Sequence, residues 1–194
     1  MAVVFNPGLN APAHPLVSVC IANFNGEALL VDCIESVLAQ DTDVTIEILV
    51  HDDASGDGSL ALIKARYPQV HVLASAENAG FCIGNNRMVE AARGEYVLLL
   101  NNDAALETDA ISSLLHEAGR LGKASILTLP QYDWQTGQLV DRGCLLDPFF
   151  NPIPNLAPEC TDVAFVIGAC LWCPRQLWNS LGGFPEWMES IAED

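Results

Sequence analysis

The chain has 194 residues, 51% of them hydrophobic, with 8 basic against 25 acidic side chains and a formal net charge of −17. That length carries one sizeable core and is short for two independent domains, and the charge disfavours non-specific binding to nucleic acid or anionic membranes. No apolar run approaches the roughly 20 residues of a membrane-spanning helix, and the amino terminus lacks a basic stretch followed by an apolar one.

The expectation is a soluble, non-secreted protein whose seven cysteines are an odd set of reduced, mostly buried thiols. Residues 1–15 read as an N-terminal extension and 16–194 as one domain. Leu16 to Ala22 reads as a strand, and Glu27 to Ala39 places Leu29, Leu30, Cys33, Ile34, Val37 and Leu38 at helical spacing. Thr45 to Val50 is a second strand, Gly58 to Tyr67 a helix ended by Pro68, and Val70 to Ala74 a third strand. Phe81 to Ala92 reads as a helix closed by Gly94, and Tyr96 to Leu100 as a fourth strand. This alternation predicts a parallel sheet. Beyond it come a helix near Thr108 to Ala118 and an apolar strand at Ala124 to Leu129. Residues 130 to 160 hold five of the eleven prolines and read as a long excursion over one face of the sheet. A strand is expected at Asp162 to Ile167, a helix from Pro174 through Leu181, and a turn at Gly182-Gly183-Phe184-Pro185.

The run Glu95-Tyr-Val-Leu-Leu-Leu-Asn-Asn-Asp103 stops abruptly on two amides and a carboxylate. A strand buried on both faces would release Asn101, Asn102 and Asp103 at its carboxyl end, where ligands bind in open α/β sheets. Asp103 suits a hard divalent cation that could in turn hold a diphosphate; the alternative is an Asx turn or a helix cap. At the end of the second strand, His51-Asp-Asp-Ala-Ser-Gly-Asp-Gly-Ser59 matches the first half of a calcium loop. Position twelve is Lys64 where a bidentate Glu is needed, and a strand precedes the loop, which excludes that reading. Asp53 is left either to accept a hydrogen bond from a nucleobase imide, while Ser55 or Asp57 caps the following helix, or to serve in capping alone. The first strand ends in Asn23-Phe-Asn-Gly-Glu27, and the third in Glu77-Asn-Ala-Gly-Phe-Cys-Ile-Gly-Asn-Asn-Arg87, whose helix start beside Arg87 reads as an anion site. Cys170-Leu-Trp-Cys173 spells C-x-x-C, but no second pair and no thioredoxin-like frame accompanies it, which favours a structural reading.

Taken in order, Val17 to Asp194 resembles the inverting glycosyltransferase family 2, with the segment from Glu77 and the Asn-Asn-Asp element similar to its rhamnosyltransferase-like branch. The resemblance implies the GT-A fold, an α/β, Rossmann-like three-layer α/β/α sandwich with a mostly parallel central sheet. It implies a nucleoside diphosphate sugar, UDP- or dTDP-linked, as donor and a glycan or lipid-linked acceptor. By it, Asn23, Asn25 and Glu27 line the nucleotide pocket, Asp53 contacts the base, and Asn78, Gly80, Asn85 and Arg87 belong to the same binding set. Asn101-Asn102-Asp103 stands where the family places a D-x-D element, with Asn for the first Asp, so that Asp103 would hold Mg²⁺ or Mn²⁺. Val166 to Leu171 is similar to the family's strand beside the donor sugar.

The Glu193-Asp194 pair resembles the family's general-base motif, which makes Asp194 the base, with Glu189 and Glu186 as fallbacks. Inversion requires such a carboxylate opposite the leaving diphosphate. Family members continue past this point, and the expectation is a fragment that binds nucleotide better than it turns over. Cell-surface polysaccharide or glycan synthesis on the cytoplasmic side, including the inner face of a membrane, is the family-level expectation. A non-catalytic nucleotide-binding module is the competing class. A nucleotidyltransferase would need a Gly-rich, Arg-bearing phosphate loop near the amino terminus, which is missing here.

Overall fold

The structure is a computed structural model that describes residues 2–121 and 125–188. Its centre is a six-stranded sheet built from β1 (Val3–Asn6), β2 (Val17–Asn23), β3 (Ile46–Asp52), β4 (His71–Ser75), β5 (Tyr96–Asn101) and β10 (Cys170–Pro174), in the order β1-β4-β3-β2-β5-β10. The four inner strands run parallel, and both edge strands are antiparallel to their neighbours. Chain order moves outward from β2 through β3 to β4 and then returns to β5 on the other side of β2. The switch point, where a doubly wound sheet opens a crevice, therefore lies between the carboxyl ends of β2 and β5.

Pleating divides the core in two. Val17, Val19 and Ile21 with Leu98 and Leu100 point toward α1 (Leu30–Leu38), α2 (Ser59–Arg66) and α4 (Ala110–Leu121). Cys20, Leu49, Leu73, Val97 and Leu99 point the other way, toward α3 (Phe81–Ala91) and α5 (Arg175–Leu181). The result is the α/β/α sandwich the alternation predicts. In β10, Cys170 joins the first core and Cys173 the second, so the two thiols cannot share a metal. Burial pushes them up to about 11 and about 12 respectively.

Three sequence expectations change. The apolar segment read as a strand at Ala124–Leu129 makes, in its described part, one antiparallel bridge, Leu127 to Trp172, after which Pro130 removes a backbone donor. The strand read at Asp162–Ile167 is a single bridge from Phe165 to Cys144; the sixth strand of the sheet is instead β10. Residues read as an N-terminal extension supply β1. The excursion from 130 to 160 is two small hairpins, β6 (Gln131–Tyr132) with β7 (Leu139–Asp141), and β8 (Cys144–Leu146) with β9 (Pro152–Pro154).

At the amino ends of the strands, buried Glu47 accepts hydrogen bonds from the Ser18 hydroxyl at 2.6 Å, the Arg93 backbone at 2.6 Å and the Arg93 guanidinium at 2.6 and 2.9 Å. His71 stands beside this pair, with its Nδ1 accepting from the Gly8 N–H at 3.0 Å and Phe5 stacked on its ring. That contact fastens β1 and the segment after it.

Burial holds the His71 imidazole below 6.5, opposed by Glu47 and assisted by Arg93. A lowered imidazole binds fewer protons folded than unfolded, so its stabilisation is complete above the unfolded value and is lost as pH falls toward the folded one. His51 is lowered too, again chiefly by burial. The thermal midpoint is therefore expected to drop between about pH 7 and about pH 5. His71→Asn, whose amide oxygen can still accept from Gly8, is expected to flatten the drop in calorimetry across that range.

Candidate functional site

The carboxyl ends of the inner strands enclose a crevice of about 400 Å³, lined by Ala22, Asn23 and Phe24 after β2, His51 and Asp53 after β3, Asn78, Gly80, Phe81 and Gly84 before and within α3, and Asn101, Asn102 and Asp103 after β5. Each apolar run therefore breaks to polar residues at one common edge. One buried hydrogen-bond chain joins three strand ends. Asn102 Nδ2 donates to Asn23 Oδ1 at 2.8 Å, and Asn23 Nδ2 donates to Asp52 Oδ1 at 2.9 Å. Asp52 accepts also from the Ser55 backbone at 3.2 Å. A Cβ on Gly26 would collide with this Asn102–Asn23 bond, so only glycine lets the first turn close over it.

The turns after β2 and β3 are stitched to each other. Asn25 accepts from Gly56 N–H at 2.8 Å, Glu27 accepts from Gly58 N–H at 2.9 Å, and the Glu27 N–H donates to Asp57 at 2.9 Å. The Ser59 hydroxyl and then the Glu27 N–H hold the Asp57 carboxyl below the usual range. Asn25 and Glu27, expected to line the pocket, thus stand off its wall and spend their side chains on this stitch.

Asp53 does line the crevice, and its two oxygens accept from the backbone of Ala79 at 2.7 Å and Gly80 at 2.8 Å. Gly80, at φ 85°, also donates to Asn78 Oδ1 at 3.1 Å. The start of α3, read from the sequence as an anion site, is therefore already occupied by a carboxylate of the chain. Arg87 does not reach the crevice wall: its Nη1 donates to Ser75 Oγ at 2.9 Å. Asn85 is buried with its amide on the Phe81 carbonyl at 3.0 Å.

Asp103 is exposed at the crevice beside Asn101 and Asn102. Its charge, after burial, is the second cause that pushes the neighbouring Cys33 thiol up to about 12. The Asn102 amide nitrogen is spent on Asn23, which leaves its oxygen as a donor to a cation. Among the described residues no three His, Cys, Asp or Glu side chains cluster as a complete metal site. One carboxylate with amide oxygens fits Mg²⁺ or Mn²⁺ when a ligand's own phosphate oxygens complete the shell, the usual arrangement for magnesium on phosphates.

Two residues escaped the sequence reading of the site. Phe81 forms one wall, packed against Gly168 and 5.7 Å from the Phe184 ring. His51 also lines the crevice, and its signal was an imidazole directly after the apolar run Ile48-Leu49-Val50. The Gly182–Pro185 turn is clamped beside the crevice by Asn86, whose amide donates to the Phe184 carbonyl at 2.8 Å and accepts from its N–H at 2.9 Å. The Val166 to Leu171 segment is tied in where Ala169 accepts from the Asn101 N–H at 3.0 Å. Asp194 and Glu189 lie outside the described residues.

A family model described as Glycosyl transferase family 2 matches residues 18–180. Chondroitin synthase of Escherichia coli is 33% identical over 183 residues, 92% of this chain and 25% of the synthase. Staphylococcus aureus TarS 1–349 in complex with UDP superposes with a TM-score of 0.66 at 19% identity, covering 90% of this chain and 52% of that one. Mannosyltransferase PcManGT from Pyrobaculum calidifontis, in complex with GDP-Man and Mn²⁺, gives 0.66 at 17% identity over 94% of this chain and 51% of its own. These two structures share the fold. The chain spans about a quarter to a third of the length of the first curated relatives it matches.

Removing the central amide isolates two buried polar groups at once. Asn23→Ala is expected to destabilise the protein by about 2 kcal/mol, read as a lower urea midpoint with an unchanged slope.

Proposed function

The chain belongs to glycosyl transferase family 2, and we propose that its crevice binds a nucleoside diphosphate sugar and presents the sugar to an acceptor hydroxyl for transfer with inversion. The observation that carries this reading is the meeting of Asp53, the Asn23–Asn102 pair and Asp103 in one crevice at the sheet's switch point. Asp53 faces the base and Asp103 the diphosphate.

Asp103, with the oxygens of Asn101 and Asn102, would hold Mg²⁺ or Mn²⁺. When bound, such a cation neutralises charge on a diphosphate and on the leaving group. With a net charge of −17 on the protein, that neutralisation favours the approach of an anionic ligand. The mannosyltransferase structure, in complex with GDP-Man and Mn²⁺, supports the choice of ion.

The acceptor's proton requires a carboxylate on the face opposite the leaving diphosphate. Asp194 is the proposed base, on the resemblance of Glu193-Asp194 to the family's motif. The clamped Gly182–Pro185 turn supports the placement of the acceptor side, because Phe184 contacts Phe81 on the crevice wall. Assembly of a glycan, as in the chondroitin synthase that the chain resembles, is the proposed setting, with a UDP- or dTDP-linked donor and a glycan or lipid-linked acceptor. No helix among the described residues is long and apolar enough to cross a membrane. A cytoplasmic site of action, including the inner face of a membrane, is part of the proposal.

Titration calorimetry with UDP, with and without Mn²⁺, tests the reading. Binding is expected to tighten with the metal, and Asp103→Ala is expected to cancel at least about tenfold of that gain while leaving metal-free binding close to unchanged. A metal-independent affinity equal in both proteins would refute the role given to Asp103.

A further inference from the structure

The second hairpin of the excursion, β8 with β9, exposes apolar side chains that the crevice does not use. Phe149 and Phe150 at its tip are 83% and 81% exposed. Cross-strand pairing puts Leu146 with Pro152 on one face of the ribbon and Leu145 with Ile153 on the other. Leu146 and Ile153 are each 44% exposed, so the ribbon shows apolar groups on both faces behind its tip. From Gly143 to Pro158 the sequence holds one charged side chain, Asp147.

That carboxylate builds the tip. Asp147 Oδ1 accepts from the N–H groups of Phe149 and Asn151 at 2.8 Å each, and its Oδ2 accepts from the Asn151 amide at 2.9 Å. The Asp147 N–H donates to the Asn151 carbonyl and the Phe150 N–H to the Asp147 carbonyl, both at 3.0 Å. Pro148, Pro152 and Pro154 have no N–H to satisfy. Every backbone donor of residues 147–151 is therefore paired inside the loop, without water. Phe150 stands at φ 64°, a left-handed backbone that disfavours a side chain of its size. The loop thus bears strain while holding two phenyl rings outward, and its backbone donors lose no partner on leaving water.

We propose that this tip is a membrane contact: Phe149 and Phe150 enter the interfacial layer of a lipid bilayer, with Leu146 and Ile153 at its rim. A protein partner covers one face of a ribbon, whereas a lipid surface surrounds a tip, which suits apolar side chains on both faces. The hairpin carries no cation and the chain has a net charge of −17, so the matching surface is a neutral, zwitterionic one. At its base the hairpin is tied to the segment beside the crevice. The Cys144 N–H donates to the Phe165 carbonyl at 2.9 Å, its carbonyl accepts from Ala164 at 2.8 Å, and three residues past Phe165, Gly168 packs against Phe81 on the crevice wall. The inference rests on the membrane-face setting proposed above and names the contact that would hold the crevice there; nucleotide binding stands apart from it.

Co-sedimentation with phosphatidylcholine vesicles tests it. The unaltered protein is expected to partition onto them to an extent that added salt does not change. Phe149→Ser combined with Phe150→Asn keeps the loop, because Asn tolerates the left-handed backbone, and is expected to lower the partition coefficient at least about tenfold. The same double variant is expected to keep the UDP affinity of the unaltered protein, so that a failure of the nucleotide reading shows in calorimetry and a failure of this one in the vesicles. Phe149→Trp, which keeps an aromatic ring at the tip, is expected to bind and to shift its fluorescence to shorter wavelength on vesicles by more than the unaltered protein does. No partition of the unaltered protein, equal partition of the double variant, or partition that requires an anionic lipid overturns the proposal. Self-association in sedimentation velocity that the double variant abolishes, without vesicle binding, assigns the tip to a second copy of the chain and overturns it too.

Discussion

The hydrogen-bond chain from Asn102 through Asn23 to Asp52 is the constraint on which the site depends. Strands β5, β2 and β3 are each saturated by backbone pairing along their length, but at their carboxyl ends the ladder stops and the chains must diverge. Buried polar groups at such a point are costly unless satisfied. Here the amide of Asn23 answers both neighbours at once, with oxygen toward Asn102 and nitrogen toward Asp52. The divergence that opens the crevice is thereby held at a fixed width. An apolar residue at position 23 would leave Asp52, which is fully buried, short of a donor.

Charge is handled by a similar economy. Backbone N–H groups at the start of α3, together with the dipole of the helix, would attract an anion. Asp53 takes that position itself, which pins the loop at Ala79 and Gly80 while turning the carboxylate's remaining lone pairs to the crevice. The cations are likewise committed: Arg93 to Glu47 and Arg87 to Ser75. A phosphate entering this crevice thus meets carboxylates and amides rather than arginines, which makes a metal ion the natural mediator at Asp103.

The inner sheet was legible because it obeys local rules. Runs such as Val97 to Leu100 are covered on both faces, so their apolarity is continuous and their ends are marked by the first polar residues. Lone side chains at those ends were harder to place. Asn25, Glu27 and Arg87 have the chemistry of ligand-binding groups, yet whether each points into the crevice or back into the frame is decided by partners 12 to 31 residues away, such as Ser75 for Arg87 and Gly58 for Glu27. β10 was hidden for another reason. Its residues Cys170 to Cys173 serve two cores from alternate faces, and the segment takes its strand form from antiparallel pairing with β5 and not from its own short run. The segments at 124–129 and 162–167 show the converse: in their described parts, apolar character gives only an isolated bridge each, Leu127 to Trp172 and Phe165 to Cys144.

In Asp53 the scaffold role leaves room for the ligand role proposed for it. A carboxylate offers about four acceptor positions, and the two backbone donors use one on each oxygen. Those bonds orient it before any ligand arrives, so no rotamer entropy is lost on binding. A group fixed in this way discriminates between ligands by mismatch: a ligand edge with no hydrogen to give leaves a rigid acceptor unpaired, and the frame cannot turn it aside to relieve it.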